Sequence, residues 1–167
     1  MPLLTMAGLD PAIQLSDPQT MSRAFVKETA ESAPPPERMV DDGPNLVTPE
    51  GLAQIDSHIA RIEAAMQSES NVLLRETLAR DLRYWSIRKA TAEVVQPAGD
   101  GAVAFGSTVT IRRGTREQTF RIVGVDEADA KTLVSFRSPL AQAILGARVG
   151  DIVEATAPLG EIEIAKI

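Results

Sequence analysis

The hydrophobic pattern of this chain changes period partway along. Leu52, Ile55, Ile59, Ile62 and Met66 recur at spacings of 3, 4, 3 and 4, the heptad stripe of a helix that packs one face against a partner. Thr48 ahead of Pro49 and Glu50 supplies an N-cap, a first-turn proline and a charge that favours the positive end of the helix dipole. Gln67-Ser68-Glu69-Ser70-Asn71 breaks the stripe with turn formers. Leu74, Leu78, Leu82 and Trp85 resume it under a polar surface that carries Arg75, Glu76, Arg80, Asp81, Arg83 and Arg88. Two helices of similar length joined by a short polar turn bury their stripes against each other, so residues 46–97 are predicted to form an antiparallel helical hairpin, a short coiled coil.

Pro97-Ala98-Gly99-Asp100-Gly101 ends the hairpin as a linker, and from Ala102 the period becomes two. Val103 and Phe105, then Val109 and Ile111, alternate with polar or small residues, and Arg112-Arg113-Gly114-Thr115 is a turn. Thr119–Val123, Thr132–Phe136, Ile152–Ala155 and Ile162–Ile167 read as further strands. Pro139 opens a short helix over Leu140–Leu145, and Gly146 closes it. The fold class is therefore α+β, with an N-terminal hairpin and a C-terminal antiparallel sheet domain over residues 98–167 that holds one short helix.

Residues 1–45 read differently. Most of the prolines fall there, including the run Pro34-Pro35-Pro36, which fits neither a helix interior nor a central strand, and Glu37, Asp41 and Asp42 keep the stretch solvated. The expectation is a disordered Pro-rich tail, with Met21 a second candidate start. The formal net charge of −6 makes direct, sequence-specific nucleic-acid binding a poor fit and a basic protein surface a better one. There is no cysteine and only one histidine, His58, so no zinc set can form and His58 reads as a surface residue. No apolar run approaches the ~20 residues of a membrane span and no signal peptide opens the chain, which points to a cytoplasmic protein without a membrane partner. Phosphate-binding glycine loops are absent, and Ser138 has no neighbouring base in the sequence.

Three blocks of the C-terminal half carry a resemblance. Val103-Ala104-Phe105-Gly106-Ser107-Thr108-Val109 is similar to the Phe-Gly-Ser-x-Val strand of the Gre transcript-cleavage factors. Ile122-Val123-Gly124-Val125-Asp126-Glu127-Ala128-Asp129 resembles their Ile-Val-Gly-x-Asp-Glu-Ala-Asp segment, and Ser138-Pro139-Leu140-Ala141 through Leu145-Gly146 to Gly150-Asp151 resembles their Ser-Pro-Leu-Ala run. Leu46-Val47-Thr48-Pro49-Glu50-Gly51-Leu52 is similar to the start of their hairpin.

The resemblance implies an FKBP-like C-terminal domain that binds core RNA polymerase at the rim of its secondary channel, and a hairpin that enters the channel. It places polymerase contacts at Asp126, Glu127, Arg137, Ser138, Pro139 and Leu140. Three departures modify this. The family tip carries an Asp and a Glu that help hold a Mg²⁺ of the polymerase, whereas this tip has Glu69 alone. The stretch Thr48–Met66 also spans only ~28 Å at ~1.5 Å per residue, short of the family hairpin. Where the family commonly has an acid before Ser-Pro, this chain has Arg137.

The expected function is a monomeric, polymerase-binding elongation regulator without full cleavage-stimulating activity, not an enzyme, with no cofactor or metal of its own. One alternative is an authentic cleavage factor that uses Glu69 and the polymerase's Mg²⁺. A remote one is a prolyl isomerase, which would need an aromatic-lined pocket.

Overall fold

The computed structural model describes residues 36–97, 99–129 and 131–167; most of the expected tail lies outside them. Residues 36–44 have no regular element, yet several of their side chains are placed. Glu37 pairs with Arg83, Arg38 lies over the Tyr84 ring at 3.7 Å, and Asp41 pairs with Arg137. The chain then enters a short strand, β1 (Asn45–Val47), so Asn45 is not part of a tail.

Thr48 caps the first helix, α1 (Pro49–Ser68), by accepting from the Gly51 N–H at 3.0 Å. Asn71 caps the second, α2 (Val72–Ala90), by accepting from Leu74. At ~1.5 Å per residue, the 20 residues of α1 span ~30 Å. The predicted seam is thick at the base of the hairpin. There Val47, Ile55 and Trp85 are buried, with Leu52, Ile59, Ile62 and Tyr84 packed against them. It thins toward the tip, where Leu74 is 52% exposed rather than part of the seam. Two helices alone have nothing behind them, and Leu74 sits in the first turn of α2, where the chain has only just reversed.

After α2 the chain forms β2 (Ala92–Val94), which runs parallel to β1 with Asn45 opposite Ala92. The hydrophobic pattern gave no hint of this two-stranded sheet, because each strand is only three residues long. It ties both ends of the hairpin together at the base.

The C-terminal sheet comprises β3 (Thr108–Arg113), β4 (Arg116–Val123), β5 (Leu133–Ser135), β6 (Ile152–Ala155) and β7 (Gly160–Lys166), in the order β5-β4-β3-β7-β6. Alternation sets its inner face: Val109, Ile111, Phe120, Ile122, Ile162 and Ile164 are all buried. The pairing of Val109 with Phe120 and of Ile111 with Ile164 puts them on one side. The helix α3 (Pro139–Ile144) covers that side with Ala141 and Ile144. Two details depart from the sequence reading. β5 pairs parallel to β4, so the sheet is mostly rather than wholly antiparallel. Val103 and Phe105 are buried but form no strand, because the chain turns at Gly106 with φ +82°, a conformation suited to glycine.

Candidate functional site

The six residues expected at a polymerase contact separate into two places. Ser138, Pro139 and Leu140 lie together at the start of α3. Ser138 is its N-cap, accepting from the Ala141 N–H at 3.1 Å, and Pro139 occupies the first helical position. With Val134 and the turn Thr156-Ala157-Pro158-Leu159 they line an open, largely apolar groove of about 550 Å³. No aromatic side chain walls it. The three phenylalanines of this domain, Phe105, Phe120 and Phe136, are buried in the core. The aromatic pocket that a prolyl isomerase would need is therefore missing among the described residues.

Arg137 sits beside this groove, but its guanidinium is engaged by the stretch ahead of β1. It pairs with Asp41 and donates to the Pro44 carbonyl at 3.1 Å. The cation that replaces the family's acid is therefore partly neutralised within the chain.

Asp126 and Glu127 face inward, into the joint between hairpin and sheet domain. Asp126 accepts from the Tyr84 hydroxyl and from Arg88 Nε, both on α2. That ion pair is nearly dry, with the Arg88 side chain 6% and the Asp126 side chain 11% exposed. Glu127 is buried and accepts from three donors: the Thr48 N–H at 2.9 Å, the Thr48 hydroxyl and the Gly124 N–H at 3.1 Å. The β4–β5 connection that carries both acids is pinned by Asp129, whose carboxylate accepts the N–H groups of Leu133, Lys131 and Thr132. Those bonds favour the charged form and hold Asp129 at about 2, below the usual carboxylate range.

His58 is not the surface residue expected. Its ring stacks on Trp85 with centroids 4.2 Å apart and planes within 1°. Burial, then the cations of Arg61 and Arg38, pushes its pKa down, so the stacked ring is favoured in its neutral form. Burial and the bond to Asp126 push the Tyr84 hydroxyl up.

At the far end of the hairpin, Glu69 is the only acid of the turn, and its carboxylate accepts from the Asn71 N–H at 2.7 Å. Val72, Leu73 and Leu74 beside it are exposed. Among the described residues no group of three or more His, Cys, Asp or Glu side chains is arranged to hold a metal, and no helix is long and apolar enough to cross a membrane.

Comparison with known proteins places these features in one family. Residues 97–167 match the family model described as transcription elongation factor, GreA/GreB, C-term. The chain is 33% identical over 131 residues to transcription elongation factor GreA of Chelativorans sp., an alignment covering 74% of this chain and 80% of that protein. It is 45% identical over 80 residues to GreA of Alkalilimnicola ehrlichii, covering 44% of this chain and 51% of that one. Against the Gfh1 protein of Thermus thermophilus, a GreA factor homolog, identity is 17% and the TM-score 0.34, covering 73% of this chain and 97% of that one. The chain belongs to the GreA/GreB family of transcription elongation factors. It spans about half the length of several of the relatives it matches.

Membership corrects one expectation. The chain was expected not to be an enzyme; its relatives carry the name transcription elongation factor GreA, and against them that expectation does not stand. That expectation rested on missing phosphate loops and nucleophile motifs, and the absence of a motif in the sequence does not decide whether a protein serves an enzymatic reaction.

Proposed function

We propose that this protein regulates transcription elongation by binding core RNA polymerase through its sheet domain and presenting its hairpin at the secondary channel. There it assists transcript cleavage less fully than a tip with two carboxylates would. The observation that carries the reading is the single carboxylate of the tip, Glu69, at the end of a ~30 Å hairpin. A loosely held Mg²⁺ gains from one or two well-placed carboxylates, and here only one is available, already bonded to its own turn. The docking surface on this reading is the groove at Ser138, Pro139 and Leu140. Asp126 and Glu127 support the domain from within, and Arg137 borders the groove.

Cleavage tests the proposal directly. On backtracked elongation complexes the protein should shorten RNA at least about tenfold more slowly than a two-carboxylate Gre factor, a difference of roughly 1.4 kcal/mol in barrier. Glu69→Ala should remove what acceleration there is. Cleavage as fast as that of a two-carboxylate factor, or cleavage indifferent to Glu69, would count against it.

Docking is tested separately. Leu140→Asp places a charge in the apolar groove and should weaken capture of core polymerase by the full-length chain at least about tenfold, again near 1.4 kcal/mol. Arg113→Ser, at the exposed end of β3, should leave capture unchanged. Equal capture by Leu140→Asp and the unaltered chain would mean that polymerase is met elsewhere.

A further inference from the structure

Consecutive residues Asp126 and Glu127 grip the two helices of the hairpin separately. Glu127 takes the first N–H and the hydroxyl at the start of α1, through Thr48. Asp126 takes Arg88 and Tyr84 near the end of α2. Glu50 on α1 also meets Arg121 of β4 at 3.3 Å, but with its side chain 62% exposed; the two buried grips on different helices are what fix the hairpin's direction.

Shape agrees with this reading. A Cβ added at Gly51 would lie 2.1 Å from Glu127 Cδ, and one at Gly124 would lie 2.5 Å from the Leu46 carbonyl oxygen and 2.7 Å from Glu127 Oε1. Side chains are therefore excluded from both walls of the slot that Glu127 fills. The Arg88 carbonyl is itself held by Asn45 Nδ2 at 2.7 Å, so the same turn of α2 is tied to β1 as well as to Asp126.

We propose that Asp126 and Glu127 are positioning residues. They form a two-point clamp that sets the direction of the hairpin relative to the sheet domain, and so decide where the tip arrives when the sheet domain is docked. The clamp stands on the contacts alone; its consequence for polymerase rests on the function proposed above.

The chain has no cysteine, so two can be introduced for spin labels. Labels at Ser70→Cys on the tip and Thr115→Cys in the β3–β4 turn report hairpin direction by pulsed electron resonance. A second pair, Ser57→Cys with Glu76→Cys, reports the hairpin alone. The full-length parent should give one narrow tip-to-sheet distance. Asp126→Asn, Glu127→Gln and Gly51→Ala should each at least double the width of that distribution and leave the within-hairpin pair unchanged. Gly51→Ala displaces Glu127 while keeping both carboxylates, so it tests the clamp without removing a charge. A tip-to-sheet distribution as narrow as the parent's in all three variants would overturn the clamp. So would broadening of both label pairs together, which would mean that these residues merely hold the hairpin folded. The measurement needs no polymerase, so its failure is distinct from failure of the docking reading. If both hold, the clamp variants lose cleavage assistance at least about tenfold while still capturing polymerase, a loss of about 1.4 kcal/mol at the transition state.

Discussion

Trp85→Ala is expected to cost about 3–5 kcal/mol of stability, the range for truncating a large buried aromatic. Trp85 is 9% exposed and belongs to the small cluster with Val47 and Ile55 at the base of the hairpin. One face stacks on His58, and the Tyr84 ring meets it edge-on with centroids 5.1 Å apart. Around Trp85 the helices are braced by Val47 of β1, and a site held from several sides relaxes little into a void, so little of the loss is recovered. Against a total stability of about 5–15 kcal/mol for a domain of this size, the change is large. Urea unfolding followed by far-ultraviolet circular dichroism measures it. A cost below about 1 kcal/mol would show that the base of the hairpin is not held by this cluster. Leu74→Ala is the contrast: half exposed at the tip, it should fall within about 0.5 kcal/mol of the parent.

The elements that carried a clean period were legible in the sequence. Thr48-Pro49-Glu50 marked the start of α1 because capping is a local matter, settled within one turn. The alternation of Val109 and Ile111 was legible, and both are buried, because a strand buried on one side has no other way to hide its apolar residues. Pro139 and Gly146 marked the bounds of α3 for the same local reasons. Illegible were the features whose partners lie far away in sequence. β1 and β2 are three residues each and pair across the whole hairpin, so neither has a period to detect. Leu74 fits the helical stripe, and only its place at the open end of the hairpin exposes it.

The site shows the same division. Pro139 opens α3 as the sequence indicated, and the structure adds the groove beside Ser138-Pro139-Leu140, which no local pattern announced. Asp126 and Glu127 read from sequence as acids in a loop, which normally face water. Their burial depends on Thr48, Tyr84 and Arg88, between 38 and 79 residues away along the chain. One cue was present: Gly124 and Gly51 each leave room for a side chain from elsewhere, but which side chain only the fold reveals.

Arg88→Met should destabilise the protein by about 3–5 kcal/mol, because removing one partner of a buried ion pair strands the other. The Arg88 and Asp126 side chains are 6% and 11% exposed, so Asp126 would keep its charge with the Tyr84 hydroxyl beside it and little water. Methionine roughly preserves the aliphatic stem of arginine, so the loss reports the charge more than the packing. Removing both charges separates the two contributions. Arg88→Met with Asp126→Leu leaves no stranded ion, and Tyr84, only half-buried, can turn its hydroxyl toward solvent. The double variant should therefore recover at least about 2 kcal/mol relative to Arg88→Met alone, a coupling that a double-mutant cycle reads directly. Two outcomes would contradict the argument. An Arg88→Met cost under about 1 kcal/mol would mean that Asp126 finds water or another cation in the joint. A double variant no more stable than the single one would mean that the pair is held together by packing around it rather than by its charges. Recovered stability also has a structural counterpart. The double variant keeps the Glu127 grip on α1 but has lost the Asp126 grip on α2. It should then be more stable than Arg88→Met alone and yet point its hairpin no better, which separates what the ion pair does for folding from what it does for aim.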